Sequence, residues 1–220
     1  MSLDAAWAAQ WVRRTAAVVS EHRDELTALD TAIGDGDHGT NLERGYAAAV
    51  ARLDEAVASG QDPQTPGAVL QLVASSLITT VGGAAGPLLG TAMLRASHTM
   101  EQTQADELQV VRMLQAAADA VRLRGRAEAG DKTMLDAWQP AAAAAQAAAE
   151  RGGDVVEVLQ AAAAAAHEGA RQTLPLKARK GRASFLGERS RGHLDPGACS
   201  TALIIQAAAD AALAASDQAH

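Results

Sequence analysis

Apolar residues recur along this chain every three or four positions, and almost nowhere do they alternate with polar ones as a half-buried strand requires. Leu108, Val111, Leu114, Ala118 and Val121 make one such helical stripe. Trp7, Trp11, Val18, Leu26 and Leu29 make another, on a first helix expected over about 3–29. Punctuation by glycine, proline and capping residues divides the rest. A second helix is expected over about 41–58, a third over about 65–80 with Thr65 as cap and Pro66 in its first turn, and a fourth over about 87–98. The stripe starting at Leu108 is the fifth. Thr133 with Asp136, and Asp154 with Glu157, have the capping-box spacing that opens a sixth helix, to about 151, and a seventh, to about 173. A long glycine-containing loop over 174–196 precedes the eighth, which Asp195 and Pro196 open and which ends near 216. The pattern predicts a single all-α domain over 1–220 without internal repeats. The alanine tracts 141–149 and 161–166 read as closely packed helix, since they lack the charge and proline of disordered tails.

Composition narrows the function classes. Hydrophobic residues make up 48% of the chain but aromatic ones only 2%, so alanine, leucine and valine must fill the core. A net charge of −7 argues against a nucleic-acid partner, which would call for a basic footprint. The single cysteine, Cys199, excludes an internal disulfide framework and fits a reducing compartment. The segment "MSLDAAWAAQWVRRTAAVV" carries Asp4 before any arginine and reads as a helix of the mature chain, not a signal peptide. No apolar run is expected to reach the ~20 residues of a membrane span. The expectation is a cytoplasmic protein with no membrane or nucleic-acid partner.

Charge clustering then points to chemistry. "DTAIGDGDHGTNLERG" (30–45) sets Asp30, Asp35, Asp37 and His38 among three glycines, and carboxylates seldom crowd together without a cation. Oxygen donors on a bent backbone suit Mg²⁺ or Ca²⁺. An EF-hand fails, because Thr40 falls where its glycine belongs and Tyr46 where its bidentate glutamate belongs. Zinc fits poorly with so few soft donors, which leaves Mg²⁺ with substrate phosphates as the better match. The plainer alternative makes Asp30 and Asp37 helix caps beside a turn.

Three further stretches are compatible with anion binding. "VGGAAGPLLGTA" (81–92) lets backbone approach a ligand before a helix start, though glycines also serve close helix packing. "RGRAEAGDKTMLDAW" (124–138) nearly matches a P-loop, but Asp131 interrupts it and no strand precedes it, so a P-loop is rejected; Lys132 reads either as a phosphate contact or, the commoner case, as an exposed lysine at a capped helix start. "KARKGRASFLGERSRGHLDPG" (177–197) concentrates Lys177, Arg179, Lys180, Arg182, Arg189 and Arg191 in an otherwise acidic chain, as an anion-binding lid would. Cys199 reads as a packed small residue, and His22, His98, His167, His193 and His220 have no evident partners.

Together "DTAIGDGDHGTNLERG", "GGAAGPLLG", "GDKTMLDAWQP" and "KGRASFLGERSRGHLDPGA" resemble, in order and over nearly the whole chain, the L subunits of dihydroxyacetone kinases. The resemblance implies an eight-helix closed antiparallel bundle (an α-barrel) with a nucleotide site formed by interhelical loops at one end. It implies that Asp30, Asp35 and Asp37 bind two Mg²⁺ ions. It carries ADP contacts onto His38, Gly39, Thr40, Asn41, Gly83, Ala84, Ala85, Gly125, Met134 on the adenine side, Arg182, Asp195, Pro196 and Gly197. It departs from the family at Ala85, where serine is usual, and at Leu89 and Phe185, where tyrosines are. The implied function is a phosphotransferase subunit whose Mg²⁺-bound ADP, becoming ATP, relays a phosphoryl group. The donor would be a phosphohistidine protein of the phosphotransferase system (the M subunit), and the acceptor dihydroxyacetone held on the K subunit, so no general base is expected on this chain. In the family the L subunit also contacts a transcriptional regulator. Two alternatives stay open: an L-type subunit of a ketose or sugar kinase using exchangeable ATP, and a non-enzymatic metal-binding helical interaction module.

Overall fold

The computed structural model describes residues 2–218, so His220 lies outside the described residues. Among these it has nine α-helices: α1 (Ala5–Glu21), α2 (Arg23–Ile33), α3 (His38–Ala58), α4 (Pro66–Thr80), α5 (Ala85–Ser97), α6 (Glu107–Gly125), α7 (Leu135–Glu150), α8 (Val155–Gln172) and α9 (Pro196–Gln218). The expected loop before α9 contains a 3₁₀ segment, Arg182–Ser190. Among the described residues the one sheet-like backbone pairing is a bridge between Leu3 and Ala105.

Nine helices replace the expected eight because the first bends at His22, whose backbone leaves helical values for one residue. The hydrogen bonds continue across the bend, from the His22 N–H to Val18 and from Leu26 back to His22. The two pieces therefore occupy one place in the bundle. Two starts expected from the sequence were right: Thr65 caps α4, and Asp154 forms a reciprocal capping box with Glu157, while Asp4 caps α1 without having been singled out for it. The sixth helix also uses such a box, between Asp106 and Gln109. Leu108 departs from its expected place in the core: it is half-exposed while Val111, Leu114 and Val121 are buried.

The helices close into a ring. Each packs on its successor from α3 to α9, α9 returns to α1, and α1 packs on α3. Closure is reinforced by the two tryptophans of α1. Their rings stack at 5.4 Å, and their indole N–H groups donate to carbonyls of α9, Trp7 to Ala208 at 3.1 Å and Trp11 to Ile204 at 2.8 Å. Alanines on α7, α8 and α9 are buried along their contact faces, which lets these helices lie close. At Gly169 a Cβ would fall 2.0 Å from the Asp136 carbonyl, so nothing larger than glycine fits where α8 crosses α7.

The residues 196–217 of α9 correct one expectation. They have a mean hydropathy of 1.5 and are long and apolar enough to cross a membrane. Here they are a core element, with α1, α7 and α8 packed around them. Because the ring runs up and down, the α2–α3, α4–α5, α6–α7 and α8–α9 connections all emerge at the same end. These four connections hold every cluster singled out in the sequence.

Candidate functional site

The acidic stretch is built from the end of one helix and the start of the next. Asp30 lies not in the loop but in the last turn of α2, nine-tenths buried. Its Oδ2 accepts the backbone N–H of Asp37 at 2.9 Å and of His38 at 3.2 Å, so one carboxylate folds the loop and caps α3. Gly34 makes this possible: a Cβ there would stand 2.0 Å from Asp30 Oδ1. Gly36 turns the chain in the left-handed region, at φ +75°. Oxygens of Asp30, Asp35 and Asp37 consequently lie within 4.8 Å of one another, grading from buried to exposed. Asp35 faces the lid, where Arg182 reaches its Oδ2 at 3.0 Å. Three hard oxygen donors converging beside a helix N-terminus fit a Mg²⁺–phosphate site.

His38 is buried behind this triad. Its Nε2 lies 2.9 Å from the Ser200 hydroxyl of α9, a partner 162 residues away that no local reading supplies. Burial lowers its pKa against the pull of Asp30 and Asp37, so the ring is neutral at physiological pH. Asn41 is also buried, its Oδ1 accepting from Arg44 at 2.6 Å.

The other connections complete a cleft of about 550 Å³. It is lined by Asp30, Asp35, Asp37, His38 and Asn41, by the Gly83–Ala84–Ala85 turn, by Gly125 and Met134, and by Arg182 with Asp195, Pro196 and Gly197. Two of the expected residues do not reach its wall. Gly39 is turned into the α2–α3 contact, where a Cβ would meet the Arg23 carbonyl at 2.0 Å. Thr40 faces outward and caps Asp37 by donating to its carbonyl. Ala85 opens α5, and Leu89 is fully buried core, whereas Phe185 is 88% exposed on the lid.

The cleft also contains residues that the sequence reading missed or misjudged. Arg124, not singled out there, lines it as a further cation, beside Lys180 of the basic stretch expected to bind anions. Lys132, expected on the surface, is 1% exposed and holds a left-handed φ of +63°. Its Nζ donates to the Thr173 carbonyl at 2.8 Å and to the His193 carbonyl. Burial depresses its pKa, while Asp195 opposes that shift. Asp136 does reach back as expected, accepting from the Thr133 N–H at 2.8 Å, although α7 itself starts at Leu135. Asp195 caps α9 through the Ala198 N–H at 2.8 Å, and burial raises its pKa to about 7. Cys199 follows it with a thiol pushed up to about 12 by burial, which suits a packed, unreactive residue. Elsewhere His22 has a partner after all, Glu25 at 2.8 Å.

Comparison with known proteins agrees with this geometry. The DAK2 domain family model matches residues 32–210. The ADP-binding subunit DhaL of the PEP-dependent dihydroxyacetone kinase of Escherichia coli (strain K12) is 40% identical over 213 residues, 96% of this chain and 99% of that protein. The ADP-binding subunit DhaL of PEP-dependent dihydroxyacetone kinase 1 of Listeria innocua is 38% identical, over 94% of this chain and 96% of that one. Among solved structures, the dihydroxyacetone kinase from C. freundii in complex with AMP-PNP and Mg²⁺ superposes with a TM-score of 0.66 at 29% identity. That match covers 92% of this chain but 33% of the kinase, so the present chain corresponds to about a third of that longer protein.

Proposed function

The chain belongs to the DAK2 domain family, and we propose that within it this chain is the ADP-binding phosphotransferase subunit of a dihydroxyacetone kinase. The observation that carries the reading is the convergence of three carboxylates at the floor of a cleft whose rim supplies cations. Asp30, Asp35 and Asp37 would hold Mg²⁺, two ions by family resemblance. Bound there, Mg²⁺ would neutralise phosphate charge, and the nucleotide would carry the phosphoryl group from a phosphohistidine M subunit to dihydroxyacetone on a K subunit.

The rest of the work is positioning. His38, neutral and fixed by Ser200, would contact phosphate without adding charge. Asn41 and the Gly83–Ala84–Ala85 turn would face the phosphates from the starts of α3 and α5. Gly39 and Thr40 would offer only the backbone N–H groups of the first turn of α3. Gly125 and Met134, which also line the cleft, would offer adenine a less polar surface. Asp195, Pro196 and Gly197 would close the site at the start of α9. The reading treats 1–220 as one nucleotide-binding domain with 174–196 as its lid, working in the cytoplasm beside its partner subunits.

What favours this reading over freely exchanging ATP is coverage: the chain spans 99% and 96% of two ADP-binding subunits, but only 33% of the kinase bound to an ATP analogue. Exchange tests it directly. Chain loaded with Mg²⁺ and radiolabelled ADP is expected to retain the label during incubation with excess ATP. Loss of the label within seconds would transfer the reading to an ATP-exchanging ketose kinase subunit.

A further inference from the structure

The lid leaves the bundle after Thr173 and returns to it at Asp195, and these two roots are held together at several points. The Gly192 N–H donates to the Leu174 carbonyl at 2.8 Å, and the Asp195 N–H donates to the Thr173 hydroxyl at 2.9 Å. Lys132 stands between them, contributed by a third connection. Its ammonium donates to one carbonyl on each root, Thr173 and His193, while also lining the cleft. Lys132 is the second residue before Met134, on the wall assigned above to adenine. Burying a lysine and holding it at φ +63° are both costly, so the side chain's contacts must account for its position. Charge-assisted bonds to two carbonyls do so.

We infer that Lys132 is a positioning residue that ties both roots of the lid to the adenine-side turn and so sets how long a nucleotide stays in the cleft. Without the ammonium, the Thr173 and His193 carbonyls lose a shared donor and the roots are free to separate. The lid then opens more often, bound nucleotide escapes faster, and entry is no slower than before. The nucleotide half of this inference rests on the proposed function; the mechanical half does not.

Two variants test it in the full chain. Lys132→Met keeps the bulk and removes the donors. Lys132→Gly relaxes the left-handed backbone and folds even if methionine is not tolerated there. Hydrogen exchange of nucleotide-free protein is expected to quicken about tenfold or more over 174–195 in either variant, with α1 and α4 unchanged. Stopped-flow measurement with Mg²⁺ and a fluorescent ADP is expected to show dissociation accelerated about tenfold and association no slower than in wild type. Lid exchange within twofold of wild type in folded Lys132→Gly would overturn the inference, and so would unchanged dissociation alongside faster lid exchange. Wild-type protein that binds no Mg²⁺–ADP would instead sink the proposed function and leave the exchange result to decide the mechanical tie.

Discussion

Asp30 and Asp35 belong to the same carboxylate triad but do different structural work, and replacing each by alanine should separate the two roles. Asp30 is nine-tenths buried and accepts two backbone N–H groups, at 2.9 and 3.2 Å, that otherwise lack a protein partner at the start of α3. Orphaning both, with partial replacement by water, should cost about 2–4 kcal/mol. For a domain of this size that is a fall in Tm of roughly 5–12 °C. Asp35 accepts only from Arg182, at 3.0 Å, and that guanidinium is 69% exposed. Losing so open an ion pair should cost about 0–1 kcal/mol, a Tm change within about 3 °C. Relief of repulsion among the remaining carboxylates works in the stabilising direction and keeps that change small. Both variants should lose Mg²⁺-dependent ADP binding. Scanning calorimetry of metal-free protein, followed by titration with ADP and Mg²⁺, measures both effects on one preparation. Equal Tm losses for the two variants, or Asp30→Ala melting within 1 °C of wild type, would refute the assignment of a folding role to Asp30.

Other consequences are as direct. Gly39→Ala would push a Cβ against the Arg23 carbonyl, 2.0 Å away, so it should lower stability by about 2–4 kcal/mol in urea unfolding, through the α2–α3 contact and not through the nucleotide. Asp195 has a folded pKa of about 7 against an ordinary value near 3.8, so the folded state keeps a proton that the unfolded state releases. Its contribution to stability is therefore full below about pH 4 and is lost as pH rises towards 7. Asp195→Asn, which still accepts from Ala198, should flatten that part of the nucleotide-free stability profile; an unchanged slope would contradict the burial of an acid there. Phe185 has 88% of its surface exposed and supports no packing, which suits a partner contact, so Phe185→Ala should leave Tm and ADP affinity unchanged and raise the partner concentration needed for half-maximal phosphoryl transfer. An unchanged half-saturating concentration of both partner subunits would show that Phe185 takes no part in docking.

The parts of this molecule that the sequence discloses are those whose cause is local. The carboxylates of Asp30, Asp35 and Asp37 converge within eight positions of sequence, and capping residues such as Thr65 and Asp154 act on N–H groups three positions away. The helices follow from stripes and capping residues in the same way, whereas their closure into a ring was expected from the family resemblance alone. What was hidden depends on residues far apart. His38 finds Ser200 across 162 residues, and Lys132 finds Thr173 and His193 across 41 and 61, so its local sequence is that of any lysine before a capped helix. Leu108 fits its stripe by spacing but falls at the edge of the buried face. The apolar run of α9 went unrecognised because alanine lowers its apparent hydrophobicity while three neighbouring helices supply its burial. Gly39 belongs to a motif expected to touch nucleotide, yet its lack of a side chain is explained by the Arg23 carbonyl.

The central claim is that the carboxylate triad makes this cleft a Mg²⁺-dependent ADP site. Isothermal titration of nucleotide-stripped chain with ADP, in Mg²⁺ and again in EDTA, tests it most directly. The account predicts tight binding in Mg²⁺, none measurable in EDTA, and none in either buffer for Asp35→Ala, whose fold should be intact. Binding of equal strength in EDTA, or no heat from folded wild-type protein in Mg²⁺, would contradict it.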